Sequence, residues 1–314
     1  MSATLRLCGR CFLSPRILGI LFLLLATALL TPGTGRGQDH ALPTDWNPAN
    51  LARIKAPASG DLTFAVLGDS RDNPQLFARL VKQMSNDRDI AFAVHLGDMV
   101  NSSDPEQYRR FFFAPLQGNL RIPMVTVIGN HELHKNGAEL YTRIFGPRYY
   151  SFQVKDHYFI ILDDAEKGSP DEAQLRWLEG ELQKARSFKT RLVFMHIPFY
   201  DPRVGGKHFL RGPAAGELEE LCKKYKVTHV FAGHIHAYYS REWAGIPHTI
   251  TGGAGAKLYR ENPMQAFFHY LKVTLRGTRV NLRVERVAAP EGSDVRPRPY
   301  PPMAWMGSNR PYAE

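Results

Sequence analysis

LTFAVLGDSR, residues 62–71, decides the fold. Leu62–Leu67 is a short, nearly continuous apolar run of the kind a buried strand needs. Gly68 ends it, and Asp69 and Arg71 follow at its carboxyl end. The same pattern returns in IAFAVHLGDMVN (90–101), MVTVIGNHE (124–132), RLVFMHIPFY (191–200) and THVFAGHIH (228–236). Each apolar strand runs into a turn that carries Asp98 and Asn101, Asn130 and His131, His196, or His234 and His236. In open α/β sheets ligands gather outside the carboxyl ends of the strands, so five segments far apart in the chain are expected to converge on one site. A glycine stands before the polar residue in four of the five, where a backbone leaving a strand must turn sharply.

The elements between these segments set the class. Pro74–Met84 reads as a helix. So does the stretch from Ser169-Pro170 to about Ala185, with Ser169 as N-cap and Pro170 at the first helical position, and so does Gly216–Lys224. Tyr149–Leu162 alternates around Lys155-Asp156 as a hairpin would. His248–Thr251, Phe268–Leu275 and Arg279–Val287 read as late strands, the last two joined at Gly277. Early strands alternating with helices, and late strands pairing as hairpins, indicate a mixed α/β domain with parallel strands first and antiparallel ones later. Residues 38–60 are rich in proline and polar groups and read as a linker or surface wrap. The organised domain spans 61–288, and 289–314 reads as a Pro-rich tail on which Trp305 and Met306 can dock back.

Two Asp, one Asn and three His form a donor set for hard or borderline ions such as Zn, Mn or Fe. One carboxylate can bridge two ions, and two ions about 3.5–4 Å apart clamp the attacking and leaving oxygens of a displacement at phosphorus. In that chemistry a metal-activated hydroxide attacks, and a histidine is suited to protonate the leaving group at neutral pH. His131 is the candidate donor, and Glu132 is a candidate to orient it.

The order of these motifs resembles the calcineurin-like metallophosphoesterases over roughly Leu62 to Tyr239. Gly129-Asn130-His131-Glu132, His196-x-Pro198-x-Tyr200 and Gly233-His234-Ile235-His236-Ala237-Tyr238 are most similar to the purple acid phosphatase branch. The resemblance implies an α/β/β/α sandwich of mixed β-sheets and a site for two divalent or trivalent metal ions. By motif, Asp69 and His236 would bind the first ion, Asp98 would bridge, and Asn130, His196 and His234 would bind the second. The chain departs from the family at two ligand positions of the first ion, where Arg71 and Asn101 stand. Arginine stays protonated and cannot ligate. The first site is therefore expected to be weak, with Asn101 or water completing it, or the enzyme to use one metal. Arg71 is free to hold a substrate phosphate, which its planar fork suits; a structural ion pair is the other reading.

Composition narrows the function. Residues 1–37 hold four of the 40 basic residues and none of the 30 acidic ones, so the remainder keeps a net charge of +6. No Lys/Arg-rich run or nucleic-acid motif occurs, which argues against DNA or RNA as substrate and leaves a phosphorylated small molecule. Arg6, Arg10 and Arg16 precede an apolar run from Ile17 to Leu30, and Thr31, Pro32 and Gly33 follow it. A run of that length suits a cleaved secretory signal within residues 1–37 and an exported, periplasmic or extracellular protein. The alternative is a membrane anchor at 17–30. Cys8 and Cys11 fall in this segment, and Cys222 is left to pack in the core.

Weaker motifs are set aside. His131-Glu132-Leu133-His134 lacks the H-E-x-x-H spacing, and Gly252–Lys257 lacks that of a P-loop. The sequon Asn101-Ser102-Ser103 overlaps the site and is expected to be bare. Asp163-Asp164 is either a turn or a support for the site. Arg203, Lys207, His208 and Arg211 form either a loop for anionic substrate or a solvated surface. Three function classes follow: a metal-dependent hydrolase of phosphate monoesters or diesters, a non-catalytic or one-metal phosphate-ligand binding protein of the same fold, and a nuclease or phosphodiesterase acting on polymers. Retention of His131 favours the first, because mere binding has no use for a proton donor.

Overall fold

The computed structural model describes residues 41–57, 60–259 and 264–289. Eleven strands lie in these residues: β1 Leu62–Leu67, β2 Ile90–His95, β3 Met124–Thr126, β4 Tyr150–Val154, β5 His157–Ile161, β6 Thr190–Phe194, β7 His229–Ala232, β8 Tyr238–Trp243, β9 Ile246–Thr251, β10 His269–Arg276 and β11 Arg279–Arg286. They form two sheets, ordered β11-β10-β1-β2-β3 and β4-β5-β6-β7-β9-β8. β1, β2 and β3 are parallel, as are β5, β6, β7 and β9. The antiparallel pairs lie at the flanks, where β10 joins β1, β11 joins β10, β4 joins β5 and β8 joins β9.

The period-2 alternation of the strands makes four layers. On β1, Phe64 and Val66 face the second sheet with Phe92 and Val94, and meet Phe159, Leu192, Phe194 and Phe231. Phe64 stacks on Phe92 at 5.2 Å and meets the edge of Phe159 at 5.4 Å. The alternate residues Ala65 and Leu67 face outward onto the helices Pro74–Asn86 and Ala138–Phe145. Behind the second sheet, Ile160, Val193 and Val230 pack on Glu172–Lys184 and Pro213–Lys224, with Cys222 fully buried among them. The result is the expected α/β/β/α sandwich of mixed sheets.

Two local readings change in their bounds. The helix after residue 169 begins later, at Glu172, with Asp171 as N-cap. The Asp171 carboxylate accepts Gln174 N–H at 2.7 Å, while Ser169 stays extended. Gln174 explains the offset: its side chain bonds both the N–H and the C=O of Asp163, which fixes the first turn against the end of β5. Met124–Ile128 shortens to a three-residue strand, because Val127 and Ile128 already belong to the turn that delivers Asn130.

Within the segment read as a linker or surface wrap, Trp46–Leu51 is a helix docked on β3. Asn47 Oδ1 accepts Thr126 N–H at 2.9 Å, Asn50 Oδ1 accepts Met124 N–H at 3.2 Å, and Trp46 Nε1–H donates to Met124 O at 2.8 Å. β3 ends its sheet, and these side chains satisfy the ladder groups that a bare edge would expose. Among the described residues no helix is long and apolar enough to cross a membrane. The apolar run 17–30, Trp305 and Met306 lie outside the described residues.

Candidate metal centre

All five strand-end turns meet at one end of the sandwich. Asp69, Asp98 and His234 hold left-handed backbones, with φ of 62°, 56° and 67°. Such φ values are strained for residues other than glycine and persist where surroundings over-determine them. Here the partners are visible: Asp69 N–H donates to Gly97 O at 3.0 Å, Asp98 N–H to Glu132 Oε2 at 2.7 Å, and His234 N–H to both Asp69 oxygens at 3.1 and 3.0 Å. Two glycines are explained differently. Gly97 itself has φ 90°. Gly129 leaves room for a neighbour, since a Cβ there would lie 2.4 Å from Asp98 N and 2.5 Å from Asp98 Oδ1.

Two donor groups share Asp98. Asp98, His196 and His234 place one ligand atom each within 4.8 Å of one another, and so do Asp69, Asp98 and His236. Asn130 joins the first of these groups, with Oδ1 3.0 Å from His196 Nε2. His196 Nδ1–H donates to Leu96 O at 2.8 Å, which turns Nε2 inward to within 3.3 Å of Asp98 Oδ1 and 3.2 Å of His234 Nδ1. Carboxylate, amide and imidazole donor atoms thus converge on one region, and that donor set suits a metal ion. The charge agrees. Burial works against charging His196, but Asp98, Asp69 and Asp164 outweigh it and push its pKa up to about 9. In the other group His236 Nδ1–H donates to Lys257 O at 2.7 Å and aims Nε2 at Asp69 Oδ1, 3.4 Å away. Burial opposes the Asp69 charge, yet the hydrogen bond and charge of His236 hold its pKa at about 2.

Two buried carboxylates support these turns. Glu132 accepts four backbone N–H groups: Asp98 and Gly129 on Oε2 at 2.7 and 2.8 Å, Met99 and Val100 on Oε1 at 2.8 and 3.3 Å. It therefore locks the β2 and β3 turns together and does not orient His131. Burial and the Asp98 charge push the Glu132 pKa up to about 7, against the pull of His196 and those donors. Asp164 accepts His196 N–H at 2.8 Å and Ile197 N–H at 2.7 Å, so the support for the site, not a mere turn, is the role the structure gives it.

His131 is oriented by Asn101. Its Nδ1–H donates to Asn101 O at 2.8 Å, and Nε2 faces Asp98 Oδ2 at 3.8 Å. Arg71 flanks the same oxygen, with Nε 3.6 Å away, while Nη1 donates to Asn101 Oδ1 at 2.8 Å. Asn101 thus serves Arg71 and His131, and its side-chain oxygen is already used by the guanidinium. Asp69, Asp98, His196 and His236 are buried, whereas Asn130, His131, His234 and Arg71 keep partial exposure and line the open side.

Two further groups close in on the site. His208 Nδ1 is 3.1 Å from His234 Nε2, so the loop that follows β6 reaches over the centre. Tyr259 stacks on His236 at 4.8 Å and carries the Arg203 guanidinium 4.1 Å from its ring centroid. His208 and Arg203 were visible in the sequence as a charged loop after a ligand. Tyr259 had no such signal: it lies in a loop beyond β9, with no patterned neighbour.

The calcineurin-like phosphoesterase family model matches residues 62–238, which span every donor above. A probable cyclic nucleotide phosphodiesterase of Rhodopseudomonas palustris is 30% identical over 179 residues, 52% of this chain and 64% of that protein. The Fe(3+)-Zn(2+) purple acid phosphatase 12 of Arabidopsis thaliana is 32% identical over 146 residues, 43% of this chain and 31% of that protein. The chain thus spans less than two thirds of either relative. The solved structure of a purple acid phosphatase from yellow lupin (Lupinus luteus) seeds superposes with a TM-score of 0.61 at 18% identity, covering 74% of this chain and 53% of that one. At that identity the likeness concerns the fold.

Proposed function

The chain belongs to the calcineurin-like phosphoesterase family, and on that premise we propose that it is a metal-dependent hydrolase of small phosphate esters. The observation that carries this reading is the convergence of the side-chain oxygens and ring nitrogens of Asp98, Asn130, His196 and His234 on one region. These residues would hold Zn, Mn or Fe, with Asp69 and His236 lining the neighbouring position. When bound, such an ion polarises the phosphoryl group and lowers the pKa of water.

The chain's own residues supply the rest. Arg71 and His131 flank Asp98 on the open side, where the ester must enter. The Arg71 fork meets phosphoryl oxygens, which gain charge as the phosphorus becomes five-coordinate. His131, with Nδ1–H fixed on Asn101 O, offers Nε2 to the leaving oxygen. Burial lowers its pKa while Asp98 acts in the opposite sense. An arriving phosphate anion adds charge that favours the imidazolium, so the donor is loaded when the substrate binds. His208, on the loop after β6, adds an imidazole beside His234, while Arg203 on the same loop is held by Asp201.

The names of the relatives support both ester classes. The test is hydrolysis of an aryl phosphate and a bis-aryl phosphate by the purified chain with Mn²⁺, Zn²⁺ or a chelator. Chelator-sensitive turnover of either is the expected result; no turnover of either with any ion would end the reading. Export belongs to the same proposal, supported by the arginine-flanked apolar run at 17–30, and N-terminal sequencing of the native protein tests it.

A further inference from the structure

The two donor groups that share Asp98 differ in what already faces them. Around Asp98, Asn130, His196 and His234, the facing groups are one another's carboxylate, amide and imidazole atoms. Around Asp69, Asp98 and His236, one is a guanidinium. Arg71 Nη2 stands 3.5 Å from His236 Nε2, whose other nitrogen is committed to Lys257 O. Arg71 Nε stands 3.6 Å from Asp98 Oδ2. The carboxylate is thereby divided: Oδ1 faces His196 at 3.3 Å, and Oδ2 faces Arg71.

Arg71 is held there by more than its charge. Its backbone N–H donates to Asp98 O at 3.2 Å, and Nη1 donates to Asn101 Oδ1 at 2.8 Å and to Asp72 Oδ2 at 3.2 Å. The side chain is 16% exposed, and among the described residues its buried Nε has no hydrogen-bond partner. A buried donor left open beside a carboxylate is costly unless a ligand completes it. A phosphate oxygen is an acceptor that would. An arginine keeps its proton at any relevant pH, so the charge facing His236 and Asp98 is permanent.

We propose that Arg71 is the resident cation of the Asp69–Asp98–His236 position, so that the chain binds one metal ion, at Asp98, Asn130, His196 and His234, and presents Arg71 to the phosphate where a second ion would stand. The inference rests on the hydrolase reading only in taking a metal ion as the natural ligand. Asp98 then faces the ion position through Oδ1 and the guanidinium through Oδ2. Like-charge repulsion from the pinned guanidinium weakens a second dication by about 10²-fold or more.

The experiment is Mn²⁺ titration of the chelator-stripped full chain, read by calorimetry, elemental analysis and electron paramagnetic resonance. The wild type is expected to take one ion with an isolated mononuclear signal. Arg71→Ala, which removes the charge, and Arg71→His, which also adds an imidazole, should each take a second ion and show two coupled ions. Asn101→Ala, which unpins the guanidinium, should raise second-ion affinity by a smaller factor. Two coupled ions in the wild type would overturn the inference, as would a folded Arg71→Ala that still takes one. If the Arg71 variants fail to fold, the wild-type stoichiometry decides alone. One bound ion without ester hydrolysis would leave this inference standing and end the hydrolase reading; no bound ion would end both.

Discussion

Glu132 Oε2 accepts the backbone N–H of Asp98 at 2.7 Å, although 33 residues separate Asp98 from His131, the neighbour of Glu132 that shares its turn. One buried carboxylate thereby sets the left-handed turn on which Asp98, common to both candidate donor groups, sits. Glu132→Ala leaves four buried N–H groups without acceptors, which should cost about 3 kcal/mol or more. Glu132→Gln keeps one oxygen and turns an NH₂ toward two of those donors, so it should fall between. Thermal unfolding of both variants checks the order; a Glu132→Ala as stable as the parent would refute the clamp.

His131 and Asp98 separate proton transfer from metal binding. His131→Ala should lower kcat by about 10²–10⁴-fold, the usual range for acid–base help, with metal content near normal. Asp98→Ala should lose metal and activity together. Parallel kinetics and elemental analysis test the pair: loss of metal in His131→Ala with retention in Asp98→Ala would reverse the assignments.

Asp164 holds the backbone of His196 and Ile197 and does not face the metal position directly. Supports of this kind are worth about 10–100-fold in metal affinity or activity when removed. Asp164→Ala should weaken metal binding within that range while the protein stays folded. An unchanged dissociation constant for Zn²⁺ would show that His196 is positioned without it.

The fold itself should be acid-sensitive. His229, His248 and His269 are buried away from the metal donors, and burial lowers their pKa values to about 3, 3 and 4. Unfolded histidines bind protons below about 6.5 while these three do not, so their stabilisation is present above that pH and is lost as pH falls toward 4 and 3. The slope is about 1.4 kcal/mol per pH unit for each group. His248 bonds no protein group through either ring nitrogen among the described residues, and its ring meets the edges of Phe199 and Tyr200. His248→Phe should therefore flatten the acid limb of a stability–pH profile measured by urea unfolding. An acid limb of unchanged slope would show that the unfolding protons go elsewhere.

Cys222 lies fully buried, and burial pushes its thiol up to about 12. It should resist a thiol-specific disulfide reagent in the native state and react on unfolding. Rapid labelling of folded protein would contradict the packing around Pro213–Lys224.

Much of the site was legible in the chain because the signals are local. An apolar run of five or six residues, a glycine and then a polar donor describe a strand and its exit within one short segment. Where competing local signals coincide, the reading slipped. Ser169-Pro170 looks like a helix start, but Gln174 anchors to Asp163 and moves the cap to Asp171. Asn47 and Asn50 look like linker residues, and only the open edge of β3 gives them acceptors and donors to meet.

By itself the sequence indicated a mixed α/β domain, set Asp69, Asp98, Asn130, His196, His234 and His236 at strand ends as candidate donors, and placed an arginine among them; the layering came from the family resemblance. Period, punctuation and residue chemistry are properties of short segments, and they survive without knowledge of the neighbours. Only the tertiary structure decided which oxygen of Asp98 faces His196 and which faces Arg71, and that Asn101 Oδ1 accepts a hydrogen bond from Arg71. It also decided that Glu132 serves the β2 turn and not His131. These relations join residues some 30 to 100 positions apart. They depend on strand order and register, which bring the turns together through contacts that no single segment encodes.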